Sequence, residues 1–170
     1  MNILLTGGLG YIGSHVAIAL LSEGHKVVIY DNLSNSNISV LSAINSLAEK
    51  NADFVKGDIL ETDHLSSTMK SYGIETIFHF AGLKAVAESV SNPLLYFKNN
   101  ISGTLSLLTA MSISKVNALV FSSSATVYGD PEFLPITEEH PLKSINPYGR
   151  TKLHAEEILS DIVNSQPDLK

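Results

Sequence analysis

Tyr148 and Lys152 stand four residues apart in Tyr148-Gly149-Arg150-Thr151-Lys152, a spacing that puts both on one face of a helix. A phenol ionises near ~10 in water and is a poor base at neutral pH. An ammonium beside it stabilises the phenolate, and a shift of about 3 units corresponds to ~4 kcal/mol. Such a pair can take a proton from an alcohol. Ser124, in the run Ser122-Ser123-Ser124-Ala125-Thr126, can orient a substrate hydroxyl between itself and Tyr148. The same Tyr/Lys spacing also arises by chance on exposed helices, so its meaning depends on the elements around it.

Those elements begin at the amino terminus. Asn2–Thr6 is a short apolar run followed at once by Gly7-Gly8-Leu9-Gly10-Tyr11-Ile12-Gly13. An apolar-periodic segment comes next, with Ile12, Val16, Ala19 and Leu20 expected on one face. This is strand, glycine turn and helix. Gly7 permits the tight turn, Gly10 lets a backbone approach a pyrophosphate, and Gly13 lets the helix pack closely on the strand. The free N–H groups of the helix N-terminus then face the anion. Asp31 closes a second strand, Lys26–Tyr30, about twenty residues after the turn, as a dinucleotide fingerprint requires. A carboxylate there takes both hydroxyls of an adenine ribose and repels a 2′-phosphate, which favours NAD over NADP. As a plain turn, Asp31-Asn32 would instead cap the next segment of chain.

Strand and helix keep alternating. A polar stretch, Asn32–Ser39, leads to a helix over about Val40–Lys50, and Asp53–Lys56 reads as a strand. A helix over Thr62–Tyr72 has Thr62 as its expected N-cap, with Glu61 and Asp63 beside it. Glu75–Phe80 is a fourth strand, Pro93–Ser112 a long helix, Asn117–Ser122 a fifth strand and Pro147–Asn164 a final helix. Ala155, Ile158, Leu159 and Ile162 are its expected buried stripe. The pattern predicts an α/β fold, a doubly wound parallel sheet of Rossmann type with right-handed crossovers. Ligands of such sheets bind at the carboxyl ends of the strands. There Asp58 can accept from an adenine amino group with Ile59 against the ring, or serve as an ordinary turn aspartate. Phe80-Ala81-Gly82-Leu83-Lys84 permits close backbone approach, and Lys84 can answer a phosphate or ribose oxygen or simply be solvated.

Composition excludes other classes. The 170 residues are one domain's length, and 44% hydrophobic with 16% charged residues suits a globular chain. Cysteine is absent, which rules out disulfides and thiolate metal sites and points to a reducing cytoplasm. No signal peptide is expected before the first strand, and no apolar run approaches membrane-spanning length. A net charge of −6 without a basic patch argues against a nucleic-acid partner. The six histidines show no metal-ligand spacing and read as structural.

Taken together, these motifs resemble the extended short-chain dehydrogenase/reductases, and within them the UDP-glucose 4-epimerase family. Thr6–His15, Asp31-Asn32-Leu33-x-Asn35-Ser36, Gly57-Asp58-Ile59, Ser122–Gly129 and Pro147-Tyr148-Gly149-x-x-Lys152 carry the resemblance. His79–Lys84 with Ala85-Val86-x-Glu88-Ser89 is its most specific stretch. The resemblance implies NAD contacts at Gly7, Gly10, Tyr11, Ile12, Gly13, Asp31, Asn32, Asn35 and Ser36. It implies more at Asp58, Ile59, Phe80, Ala81, Gly82, Lys84, Asn99, Ser122, Tyr148 and Lys152, with Ser124 and Tyr148 touching a UDP-sugar. It also implies catalysis by Tyr148, Lys152 and Ser124, with no metal.

Members of that family are about twice as long. The expectation is therefore an incomplete NAD-binding domain over residues 1–170, truncated before its last strands and its substrate-binding domain. Such a fragment would hold NAD yet epimerise poorly or not at all. Three rivals are a 4,6-dehydratase, an epimerase of UDP-glucuronate or N-acetylated sugars, and an NAD-binding module without catalysis. A dehydratase needs an acid and a base beside the serine position, where this chain has Ala125 and Thr126. A non-catalytic module has no use for Tyr148 and Lys152 together. Apolar residues on several faces of the long helix (Leu95, Phe97, Ile101, Leu105, Leu107, Leu108) suit a homodimer or burial under a further domain.

Overall fold

Five short strands carry the architecture: β1 (Asn2–Thr6), β2 (Lys26–Asp31), β3 (Asp53–Lys56), β4 (Thr76–His79) and β5 (Leu119–Phe121). All pairings are parallel, in the order β3-β2-β1-β4-β5. The computed structural model describes residues 1–166 and 168–170. The helices are α1 (Tyr11–Ser22), α2 (Ser39–Ala48), α3 (Thr62–Ser71), α4 (Val86–Ser91), α5 (Pro93–Tyr96), α6 (Gly103–Ser114) and α7 (Pro147–Ser165). The chain divides into two compact units. One comprises Met1–Ala81, Leu105–Ser122 and Asp168–Lys170; the other comprises Gly82–Thr104 and Ser123–Pro167.

The first unit is the sheet with its covering helices. β1 is buried on both faces, as a central parallel strand must be. Its Ile3 and Leu5 join Leu9, Ala17, Leu21, Val27, Ile29 and Ile44 in one core cluster with α1 and α2. Leu4, Val28 and Ile77 alternate to the other face and are equally buried. Right-handed crossovers put α3 and α6 on that side. The two helices are joined by the Thr62–Ser106 hydroxyl pair at 2.8 Å and by the Ser114 hydroxyl donating to the Ser66 carbonyl at 3.2 Å. Strand order reverses between β1 and β4, where Thr6 pairs with His79 in register. Their side chains share a buried hydrogen bond of 2.6 Å, consistent with a structural role for this histidine. Beyond β5, Lys170 bonds the backbone of Asn117 and Leu119 at 2.8 and 2.9 Å.

Several local expectations are corrected. The face of α1 turned to the core is Gly13, Ala17 and Leu21, while Ile12 is 55% exposed. Glycine at position 13 draws the helix onto the turn and sets that face, and the larger apolar residues are displaced to its flanks. Thr62 is the first residue of α3 rather than its cap, and Glu61 at the cap makes no side-chain capping bond.

The second unit is built on α4, α5, a π-helical segment (Phe97–Ser102), a 3₁₀ turn (Ala125–Val127) and α7. The expected single helix from Pro93 is thus broken by a π-turn, and α4 precedes it in a stretch to which the sequence pattern assigns no element. In α7 the buried face is Pro147, Gly149, Thr151, Lys152 and Ala155, whereas Ile158, Leu159 and Ile162 are only half-buried. A helix whose buried side carries a lysine, a threonine and a glycine defeats a reading that follows apolar periodicity.

Candidate active site

In the first unit the glycine turn forms because two of its glycines leave no room for a side chain. Gly7 has φ +67°, and a Cβ there would lie 2.6 Å from the Ala81 nitrogen; at Gly13 it would lie 2.5 Å from the Gly7 carbonyl oxygen. The Gly7 N–H donates to the Tyr30 carbonyl at 2.8 Å, and the Gly10 N–H to the Gly7 carbonyl at 3.0 Å. Gly10 caps α1 in extended conformation without a side chain of its own. The outcome is a bare backbone surface at a helix N-terminus, a shape that fits an anionic pyrophosphate. Tyr11 and Ile12, expected at the cofactor, are exposed on the first turn of α1.

Asp31 is 7% exposed at the end of β2. Its carboxylate accepts from the backbone N–H groups of Leu9 (3.1 Å) and Leu33 (2.9 Å) and from the Ser36 hydroxyl (2.8 Å). One side chain therefore ties the glycine turn to the loop after β2. Leu33 holds the left-handed φ of 63°, rare for a bulky residue. Asn32 donates to the Asp58 carboxylate at 2.9 Å, so Asp31, Asn32, Ser36 and Asp58 gather at the ends of β2 and β3. The Tyr30 hydroxyl donates to the Asp58 carbonyl at 3.1 Å. Burial, then Glu61 and Asp58, push the Tyr30 hydroxyl pKa well up, so it stays a donor. Ile59 is buried and Asn35 exposed. Phe80 and Ala81 follow β4, with the Phe80 N–H on the Thr6 carbonyl at 2.9 Å; the Ser122 N–H donates to the His79 carbonyl at 3.2 Å.

The second unit holds the candidate reacting side chains, Ser124, Tyr148 and Lys152. Asn146 caps α7, its side chain accepting from the Gly149 N–H at 2.8 Å, and Pro147 takes the first turn. Tyr148, half-buried, and Lys152, 7% exposed, therefore sit on adjacent turns of a well-started helix. Burial lowers the Lys152 ammonium to about 8, with Glu156 opposing the shift. A Cβ at Gly82 would stand 3.9 Å from Lys152 Nζ and 3.3 Å from Asn100 Oδ1, so any longer side chain there would crowd the ammonium. Ser124 caps the 3₁₀ turn, and its Oγ accepts from the Thr126 N–H (3.3 Å) and the Thr126 hydroxyl (3.0 Å).

Residues without a chemical signature in the sequence hold this unit together. Asn100, in the π-segment, makes four side-chain hydrogen bonds. It pairs with both backbone groups of Leu83 (2.8 and 3.0 Å), accepts from Asn99 (3.0 Å) and donates to Thr151 (3.0 Å). Thr151 in turn donates to the Tyr148 carbonyl at 2.7 Å. The Ser89 hydroxyl accepts from the Tyr148 N–H at 3.1 Å. The Tyr96 hydroxyl donates to Glu88 at 2.7 Å and accepts from the Ala85 N–H at 3.0 Å; burial and Glu88 push it up to about 12. Lys84 is exposed. Glu88 and Ser89 stood in the recognised motif with no role attached, and Asn100, Thr151 and Tyr96 carried no signal beyond the polar or aromatic character of helical residues. Among the described residues, no group of histidine, aspartate and glutamate is placed to hold a metal ion.

The profile of the family described as GDP-mannose 4,6 dehydratase matches residues 4–167. The chain belongs to this family of extended short-chain dehydrogenase/reductases. Among curated relatives of this family member, the UDP-glucose 4-epimerase of Dictyostelium discoideum is 51% identical over 98% of the chain. That of Bacillus subtilis is 50% identical over 95%. The chain spans about half the length of these relatives, 48% of each. Among solved structures, the UDP-glucose 4-epimerase of Stenotrophomonas maltophila, with bound NAD and formylated UDP-arabinopyranose, superposes with TM-score 0.97 at 46% identity. The match covers 99% of this chain and 50% of that one. The Bifidobacterium longum enzyme, in complex with NAD+ and UDP, gives TM-score 0.97 at 41% identity, covering 100% and 51%. The parallel Rossmann-type sheet is thus that of NAD-dependent epimerase structures.

Proposed function

We propose that the whole protein is an NAD-dependent UDP-hexose 4-epimerase that interconverts UDP-glucose and UDP-galactose. The reading rests above all on similarity to UDP-glucose 4-epimerases along the entire chain at 46–51% identity. The site residues agree with it chemically. Gly7, Gly10 and Gly13 shape the pyrophosphate cradle. Asp31 takes the adenine ribose, with Asn32, Asn35, Ser36, Asp58 and Ile59 around it. Phe80, Ala81, Gly82, Lys84, Asn99 and Ser122 line the rest of the NAD site, and Lys152 holds the nicotinamide ribose.

Tyr148 removes the proton of the sugar 4-hydroxyl, and Ser124 donates a hydrogen bond to the 4-oxygen. NAD, held by the residues named above, would supply a reversible hydride acceptor at C4 of the sugar, which could then be reduced on either face. Tyr148 then gives its proton back, so oxidation and reduction cancel over the cycle. Lys152, as an ammonium, favours the phenolate form of its neighbour. The dehydratase chemistry named for the family profile has less support, because Ala125 and Thr126 carry no ionisable group. Residues 1–170 serve as the NAD-binding domain, and the whole protein acts in the cytoplasm as a homodimer.

Incubating the whole protein with UDP-glucose and no added cofactor, with the sugar monitored by proton NMR, tests this. UDP-galactose is the expected product. A 4-keto-6-deoxy sugar would show a dehydratase instead. Two structural neighbours, a UDP-Glc/GlcNAc and a UDP-N-acetylglucosamine 4-epimerase, make N-acetylated UDP-hexoses the second substrates to try. Residues 1–170 alone are expected to bind NAD without turnover.

A further inference from the structure

A hydroxyl offers two lone pairs and one proton. Both acceptor bonds on Ser124 Oγ come from Thr126, one from its backbone N–H and one from its hydroxyl. What Ser124 has left is its own O–H. Thr126 lies close against the start of α7: a Cβ built on Gly149 would come 2.7 Å from the Thr126 carbonyl oxygen and 3.1 Å from its Oγ1. The Val127 N–H on the Ser124 carbonyl (3.1 Å) and the Tyr128 N–H on the Ala125 carbonyl (3.2 Å) close the turn around it.

We propose that Thr126 is a positioning residue that acts through Ser124, filling its lone pairs so that it faces the substrate only as a donor. The inference rests on the epimerase reading above. The chemistry gives it a purpose. The sugar 4-oxygen must surrender its proton to Tyr148 and then becomes a carbonyl oxygen, which can only accept. A Ser124 free to accept would compete with Tyr148 for the hydroxyl proton and hold the sugar in an unreactive pose. A Ser124 confined to donating serves the hydroxyl, the ketone and the returning alkoxide alike.

The test is steady-state epimerisation of UDP-galactose by the whole protein. Thr126→Val, nearly isosteric but without the hydroxyl, is expected to lower kcat about tenfold with KM within about twofold of wild type. Thr126→Ser is expected to restore kcat to within about twofold. In a Ser124→Ala background, Thr126→Val is expected to add nothing further, because the two act as one unit. Should Thr126→Val not fold, Thr126→Ala removes the same hydroxyl with less bulk. Wild-type kcat in the hydroxyl-free variant, equal losses in the valine and serine variants, or additive losses with Ser124→Ala each overturn the inference. A wild-type protein that turns over no UDP-hexose overturns the epimerase reading and this inference with it. An active wild type beside an unaffected Thr126→Val overturns this inference alone.

Discussion

Asn100 holds Leu83 by both of its backbone groups: its carboxamide accepts the Leu83 N–H at 2.8 Å and donates to the Leu83 carbonyl at 3.0 Å. A side chain here does what a neighbouring strand would do, and does so from a helix. The remaining donor reaches Thr151, whose hydroxyl bonds the Tyr148 carbonyl. The 82–84 loop and the helix of Tyr148 and Lys152 are therefore spaced by one buried amide. Asn100→Leu leaves buried partners on both sides unsatisfied and is expected to lower stability by about 2–4 kcal/mol. Chemical denaturation of the 170-residue chain measures this; a loss below about 0.5 kcal/mol would remove Asn100 from the account.

Gly149 gives a prediction whose sign is decided by packing. Within a helix, glycine to alanine normally gains up to about 1 kcal/mol. Here the new Cβ would overlap Ser144 Oγ and meet the Thr126 carbonyl at 2.7 Å, so the start of α7 must move off the 3₁₀ turn. Gly149→Ala is expected to destabilise by about 1–3 kcal/mol. A variant more stable than wild type in the same denaturation experiment would refute the contact.

Lys152 makes the chain's stability depend on pH in a stated direction. Its folded pKa of about 8 lies below the ordinary 10.5, so the folded state binds fewer protons than the unfolded one between those values. The burden of the buried ammonium is fully present below pH 8 and fades as pH rises toward 10.5. Relative to Lys152→Met, the wild-type chain is therefore expected to gain stability between pH 8 and 10.5, by an amount on the order of 3 kcal/mol. Paired unfolding curves across this range check it, and a constant difference would contradict it.

Asp31 serves the proposed cofactor and the fold together. Asp31→Asn keeps an oxygen but places an amide where the Leu9 N–H, or the Leu33 N–H and Ser36 hydroxyl, now find an acceptor. NAD affinity of the 170-residue chain is expected to fall roughly tenfold or more, with discrimination against NADP narrowing. Calorimetric titration with both dinucleotides decides. Unchanged preference for NAD would move the ribose contact elsewhere.

The sheet was readable because parallel strands bury both faces, so Ile3-Leu4-Leu5 and Val27-Val28-Ile29-Tyr30 stand out as unbroken apolar runs. The glycine turn was readable because its glycines meet steric demands that a larger residue cannot. Tyr148, Lys152, Ser124 and Asp31 could be singled out because their chemistry needs those residue types at those spacings. Helix faces were misread where packing, not hydrophobicity, chose the face. In α1 the small Gly13 and Ala17 turn inward, and in α7 Thr151 and Lys152 do.

By itself, then, the sequence determined the βα order, the dinucleotide turn and the identity of the candidate reacting side chains, all of which are local or chemically distinctive. Only the tertiary structure decided what holds them. Asn100, Thr151, Ser89, Tyr96 and Thr126 act through individual hydrogen bonds, several of them to residues distant in the chain. A polar residue's partner depends on which backbone group the fold brings within about 3 Å, and nothing in its own neighbourhood of sequence records that.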